Sequence, residues 1–374
     1  MSLDPLITRG SILVYRVFDV GEEIDLKRLE ELFRGDQGKS RLRISRGTGQ
    51  ALVMRDPPVR LTLGETLFHL QDKLVRAETF ATAWDYGVVS LVFQIPIVPG
   101  SKWSELVRQA PLLNGEQAGA EEMDSAARRR VQELVGFLSR AMTAPGEWAP
   151  FEDYVLYFLE KLEGMHDLAD LMRGGLIPKL ILGESQERLA QKSRSEIEDH
   201  ILQYAETDLV AIDWNSAVVV EPAGNRDVPD VIEFALTHLL EFRYYDDLLD
   251  QRLASVYKSV DVQGPRFRRR NFAQVSREAN ARFIEISEFL ERIDNSLKVV
   301  GDFYLAVIFR VAVKRFRIPD WQVSIRRKMN LLAQVSQMLL GEANARRGHL
   351  LEGIIILLIA FEIISAILKS SSGG

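Results

Sequence analysis

Asp246 and Asp250 in the stretch RYYDDLLD (residues 243–250) stand four positions apart, so a helix puts both carboxylates on one face. Paired carboxylates on a bundle helix can hold a divalent metal, but the usual Glu-x-x-His partner is missing here. The plainer reading is a surface with an Arg243–Asp247 ion pair around a packing stripe of Tyr244, Tyr245, Leu248 and Leu249. Glu198 and His200 could supply two ligands, yet metal sites need three or four convergent groups. The remaining histidines, His69, His166, His238 and His349, are scattered. There is no cysteine, which removes disulfides, thiolate metal sites and cysteine nucleophiles. No GxxxxGK[ST], HExxH or GxSxG is present, and the turn RGTG (46–49) is too short and hairpin-like to cradle phosphate. No catalytic residue, cofactor or metal site is therefore expected. An enzyme built on Asp246/Asp250 or Glu198/His200 is the weakest of the three functional readings.

The second kind of chemistry is anion binding. Net charge is −6, but residues 258–350 carry 18 Lys/Arg against 9 Asp/Glu, a net of 18 − 9 = +9, leaving −15 elsewhere. Within that region Arg266, Arg268, Arg269 and Arg270 form one cluster, Lys314, Arg315 and Arg317 another, and Arg326, Arg327 and Lys328 a third. Phe267, Phe272 and Phe316 sit among them, as stacking on nucleic acid would use. No recognisable nucleic-acid-binding motif frames them. Arg346 and Arg347 precede the apolar tail, where a lipid headgroup is the simpler anion.

The elements that must position these residues read as α+β. The chain begins with a mixed or antiparallel sheet with helices, followed by a long antiparallel helical hairpin and a C-terminal hydrophobic helix. Residues 11–18 (SILVYRVF) alternate as a strand, and Asp25 is placed to cap a helix over 25–33. Two strands are expected around RGTG, and two more in 77–97 around the turn DYG. A helix starts at Ser101. The β-α-β-β order suggests helices on one face of the sheet. Residues 114–124 read as a linker, 125–142 and 151–162 as helices, and 208–222 as a strand pair. Residues 231–257 form a long amphipathic helix. A heptad seam follows at Phe283, Ile286, Leu290, Ile293, Leu297, Val300 and Tyr304. Pro319 must interrupt it, and a third helix from near Trp321 repeats Ile325, Leu332 and Leu339. The expected domains are 1–222 (α+β), 223–348 (helical, coiled-coil) and 349–369 (a membrane-anchor helix).

The anchor reading rests on LLEGIIILLIAFEIISAIL (350–368). As a helix it spans about 28 Å, near the ~30 Å of a hydrocarbon core. Only nine consecutive residues, 353–361, are free of charge. Glu352 fits the headgroup boundary beside Arg346 and Arg347. Glu362 lies inside the run and calls for a helix–helix partner, with Ala360 and Ala366 permitting close approach. The positive-inside rule keeps the bulk of the chain on the cytoplasmic side of the inner membrane of a bacterial-type cell. The N-terminus has no secretory or mitochondrial leader pattern.

Asn344, Arg347, Leu351, Glu352, the Ile-rich run 354–359 and Glu362, together with the strand DYGVVSLVF (85–93), resemble the family called "required for meiotic nuclear division". Gly353 stands where that family has Trp, and residues 111–208 match it poorly. The resemblance implies an α+β domain, a helical hairpin and a membrane-proximal C-terminal helix, with eukaryotic relatives in mitochondrial membranes connected with translation. It implies no catalytic residue.

Taken together, the sequence points first to a non-catalytic, C-terminally membrane-anchored scaffold or tether. It would face the cytoplasm, contact the lipid bilayer and form a homo-oligomer through its helical region. The alternative is a soluble RNA- or ribosome-associated protein that uses the basic helical region and buries its tail in an oligomer.

Overall fold

A computed structural model describes residues 4–35, 43–46, 57–70, 73–113, 118–146, 148–185, 189–260 and 302–371, and in between residues 281, 284, 286, 287 and 291. The protein is mixed α+β, with a large N-terminal sheet and several helices. The strands are β1 (Leu6–Asp19), β2 (Gly21–Ile24), β3 (Arg43–Arg46), β4 (Val59–Leu70), β5 (Lys73–Ala83), β6 (Val88–Pro96), β7 (Ser101–Lys102), β8 (Met142–Pro145), β9 (Glu152–Glu163), β10 (Ile201–Leu202), β11 (Leu209–Ile212) and β12 (Ser216–Val220). The helices are α1 (Leu26–Gly35), α2 (Trp103–Leu113), α3 (Ala118–Leu138), α4 (Ala169–Arg173), α5 (Leu176–Leu182), α6 (Gln191–Glu198), α7 (Asp227–Val260), α8 (Phe303–Arg315) and α9 (Ile318–Ser371). Two compact units are present: Met1–Tyr244 with Ile293–Asp320, and Tyr245–Arg292 with Trp321–Gly374.

The first unit holds a ten-stranded sheet in the order β10-β11-β12-β9-β1-β6-β5-β4-β3, with β7 on β1, and a separate β2-β8 pair. All its pairings are antiparallel except β12 with β9. Side chains alternate between the faces of a strand. Ile12, Val14 and Phe18 of β1, with Leu61, Leu91, Phe93 and Val155, share a core with Leu106, Met123, Leu134 and Leu180 from α2, α3 and α5. Tyr15 and Val17 point to the opposite face, which α7 covers. Helices thus lie on both faces, not on the one face expected. α7 supplies the second layer, and its residues 228–242 are almost all buried.

Three local expectations change. Residues 151–162, expected as a helix, form the central strand β9. Its run YVLYFL is buried on both faces, and a short apolar run without alternation does not distinguish strand from helix. The stretch 114–124 is not a linker over its described part, because α3 begins at Ala118. Strand β4, which carries Arg60, was not expected at all. Other readings hold. Arg28 donates its backbone N–H to Asp25 Oδ1 at 3.0 Å, an N-cap for α1. Residues 208–222 give the hairpin β11-β12. The helix break before Pro319 falls at Phe316–Arg317, and Pro319 then sits in the first turn of α9, where its missing N–H costs nothing. The second strand after RGTG, and most of the seam from Phe283 to Val300, lie outside the described residues.

The turn DYG joins β5 to β6, and Gly87 sits in it with φ +83°. A Cβ at Gly87 would lie 1.7 Å from the Gly21 carbonyl oxygen, because Val20 N–H donates to Gly87 O at 2.9 Å and draws the two segments together. Gly87→Ala is therefore expected to destabilise the protein by at least about 1–3 kcal/mol, from the strained φ alone before the backbone overlap is added. An unchanged thermal midpoint would show that the β2 segment yields freely.

Candidate functional site

α7 carries Asp230, Glu233, Thr237 and Glu241 at steps of three, four and four, a polar stripe on an otherwise apolar helix. The expected amphipathic helix exists, but its polar stripe is buried: these four residues are 0–4 % exposed. The stripe faces the sheet. Arg60 Nη2 donates to Asp230 Oδ1 at 2.8 Å and to Glu233 Oε2 at 3.0 Å. Arg226 Nη1 donates to Gln94 Oε1 at 3.0 Å, and Tyr86 and Thr237 share a 2.6 Å hydroxyl contact. Gln94, Arg60 and Tyr86 are met in that order, so the first part of α7 lies along the strands. Trp84, Phe234 and Phe309 stack in series at 5.4 Å centroid spacings, which joins the sheet to α7 and α7 to α8.

The electrostatics of this layer are set by desolvation. Burial pushes the Asp230 carboxyl up to about 6, and Arg60 only partly opposes that. Glu152 is pushed up to about 7 by burial, although Arg243 Nη1 donates to its Oε1 at 2.5 Å. Asp19 is also held near 7 by burial, against a hydrogen bond from Gly21 N–H. For Arg60, burial works against the charge. The Glu233 and Asp230 carboxylates outweigh it and hold the guanidinium above its ordinary range. Tyr15, buried beside Glu233, Arg226 and Asp230, is raised by burial first and by Glu233 second. Tyr15 Oη, Ser90 Oγ, Asp230 Oδ2 and Glu233 Oε1 have no hydrogen-bond partner among the described residues. A second buried ion pair, Arg315–Asp213, ties α8 to the β11-β12 turn, and Tyr154 Oη donates to Asp213 O at 3.0 Å.

Chemically, the layer holds the buried carboxyls of Asp19, Glu152 and Asp230 with raised proton affinity. Its geometry positions α7 on the sheet. The polar stripe was the only signal for it in the sequence. Arg60 and Tyr15 gave none, since a charged residue in a strand pattern reads as solvent-facing.

The residues singled out from the sequence are placed otherwise. Lys328 Nζ lies 2.9 Å from Asp246 Oδ1 and 2.6 Å from Asp250 Oδ2, and Ser324 Oγ donates to Asp246 Oδ1 at 2.8 Å. The lysine ammonium stands where a shared cation would sit. Arg243 pairs with Glu152 in place of the expected Asp247. Glu198 accepts from Arg194 at 3.3 Å, while His200 Nδ1 contacts Glu196 O at 2.8 Å, so the two do not converge. Among the described residues no group of three His, Asp or Glu is arranged for a metal. Arg326 and Arg327 are exposed on α9, whereas Lys328 is engaged. Arg266, Arg268, Arg269 and Arg270 lie outside the described residues, as do the side chains of Arg346 and Arg347. Glu352 is exposed and 3.3 Å from His349 Nδ1; Glu362 is exposed.

The membrane reading is overturned. Among the described residues no helix is long and apolar enough to cross a membrane. The charge-free stretch 353–361 spans only about 14 Å of helix, against ~30 Å of hydrocarbon. The anchor roles of Arg346, Arg347, Glu352 and Glu362, the inner-membrane location and the bilayer as partner fall with it.

A family model described as "Uncharacterized protein MJ0711, N-terminal domain" matches residues 9–227, and the chain belongs to that family. Uncharacterized protein MJ0711 of Methanocaldococcus jannaschii is 24% identical over 192 residues, covering 50% of this chain and 58% of that protein. The match thus spans a little over half of the relative's length. No solved structure matches. The expected membership of the meiotic nuclear division family is corrected by these findings. The matched region contains all of 111–208, where that resemblance was poor, and excludes the tail on which it mainly rested.

Proposed function

We propose that this member of the MJ0711 N-terminal-domain family is a non-catalytic binding protein that associates with RNA or a ribosome surface through its basic helical region. The carrying observation is the arrangement of cations on α8. Leu305, Ile308, Phe309 and Ala312 are buried on one side, while Arg310, Lys314 and, just past the helix end, Arg317 are exposed at steps of four and three on the other. Arg326 and Arg327 are exposed on α9, and the whole segment 258–350 carries net +9. Phosphate groups are the ligand that such a stripe suits, because each neutralised phosphate releases condensed counterions. Two observations favour a non-catalytic role: the carboxylates under α7 are closed to solvent, and Lys328 neutralises Asp246 and Asp250. The Lys328 bridges, from α9 to the last part of α7, also support reading the second unit as an antiparallel helical hairpin with a hydrophobic C-terminal helix. Buried Ile325, Met329, Leu332 and Ile286 are consistent with its seam.

The test is RNA binding as a function of salt. Fluorescence anisotropy with a structured RNA is expected to give a log K against log salt slope that becomes shallower by about 2 in Arg310→Ala/Lys314→Ala. In Arg268→Ala/Arg269→Ala/Arg270→Ala the expected change is about 3. Absence of binding at low salt would remove the proposal.

A further inference from the structure

We propose that the apolar stretch of α9 is the contact between copies of this chain, and that its seam is Gly353, Ile356, Ala360 and Ile363. The inference deepens the function above by naming how the binding protein assembles. It stands on a surface that binding to RNA does not use.

From Leu351 to Ile364 every described Leu, Ile and Phe is at least half exposed, from 51 % at Ile359 to 72 % at Leu357. Isolated monomers rarely carry an apolar patch beyond roughly 300–600 Å². Burying a side chain of this kind removes about 60–120 Å² from water, so the ten exposed here offer roughly 600–1,200 Å² per chain. A stable interface takes about 800 Å² from each partner. These side chains lie on every side of the helix, so one seam covers only part of that area and the remainder is left for further copies of the chain; no helix among the described residues is long and apolar enough to place the stretch across a bilayer.

The pattern selects the face. Gly353 and Ala360 are seven apart, with Ile356 and Ile363 three beyond each, which is the spacing of a helix–helix seam. Gly353 has nothing within 4 Å of where a Cβ would stand, so that side is open to an approaching helix. Glu352 and Glu362 both fall off this seam. Glu352 turns to His349 in its own helix at 3.3 Å, and Glu362 stays exposed, so neither carboxylate is buried by the pairing. A self-complementary seam of this kind fits a second copy of the same helix.

Sedimentation of the full chain, without RNA or lipid and over a wide concentration range, tests the proposal. The full chain is expected to sediment as an oligomer. Ile356→Glu/Ile363→Glu is expected to weaken association about a hundredfold or more. Both side chains are exposed in the protomer, so its circular dichroism and thermal midpoint should stay unchanged. Glu362→Leu, off the seam, should leave the mass as it is. A full chain that is monomeric at every concentration, or an undiminished mass in the double variant, would overturn the proposal. So would a Glu362→Leu chain that loses mass. A monomer that is captured by phospholipid vesicles would assign the stretch to lipid instead. RNA anisotropy on the monomeric variant reads the proposed function separately: retained binding there with no assembly in the full chain sinks only the seam.

Discussion

Arg60→Met is expected to lower the unfolding free energy by about 3–5 kcal/mol, because it leaves two buried carboxylates without their shared cation. Asp230 and Glu233 are 3 % and 1 % exposed, and Arg60 is the guanidinium that bonds both. The loss comes from the uncompensated charges, not from the worth of the pair itself. The triple variant Arg60→Met/Asp230→Asn/Glu233→Gln should therefore regain much of the stability, since neutral amides carry a smaller desolvation penalty. Urea unfolding followed by circular dichroism at neutral pH measures all three chains. A loss below about 1 kcal/mol in Arg60→Met would mean that water reaches the carboxylates, and the closed layer under α7 would have to be redrawn.

The fold is expected to grow more stable as pH falls from 8 to 6. Asp19 and Glu152 are held near 7 and Asp230 near 6 by burial, all above their ordinary carboxylate values. Each group binds its proton more tightly folded than unfolded. Its contribution is complete below the unfolded value and is lost as pH rises through the folded one. Over pH 8 to 6 the gain is roughly 1.4 kcal/mol each for Asp19 and Glu152, with a smaller part from Asp230. Asp19→Asn should remove about half of the pH dependence and raise stability at pH 8. Flat stability between pH 8 and 6 in the native chain would show that these carboxyls reach solvent. The two predictions are linked: with Arg60 removed, Asp230 loses the cation that partly opposes its burial, so the Arg60→Met chain should show the steeper dependence.

How much was legible follows from what each signal measures. Alternation marked β1, the turn DYG marked β5-β6, and Asp25 marked the start of α1, because these depend on neighbours in the chain. Strand β9 was misread because YVLYFL is buried on both faces, which erases the alternation that identifies a strand. The tail misled for a related reason. Apolar length suggests a membrane, but a run broken by Glu352 and Glu362 is equally the composition of a helix covered by protein.

What the sequence determined by itself was the α+β class, the helical character of residues 231–260 and 303–371, a helix break just ahead of Pro319, the absence of cysteine chemistry and the basic segment 258–350. These are properties of composition and local periodicity. Only the tertiary structure decided which polar residues are buried. Asp230 and Glu233 lie 170 and 173 residues from Arg60, Glu152 lies 91 from Arg243, and Asp246 lies 82 from Lys328. A charge in a sequence reads as solvated until a partner is found. Those partners meet only when the sheet closes and α7 is laid across it, or when the ends of α7 and α9 come together. The charged layer and the neutralised Asp246/Asp250 pair are thus products of the fold, formed from residues whose local patterns promised surface.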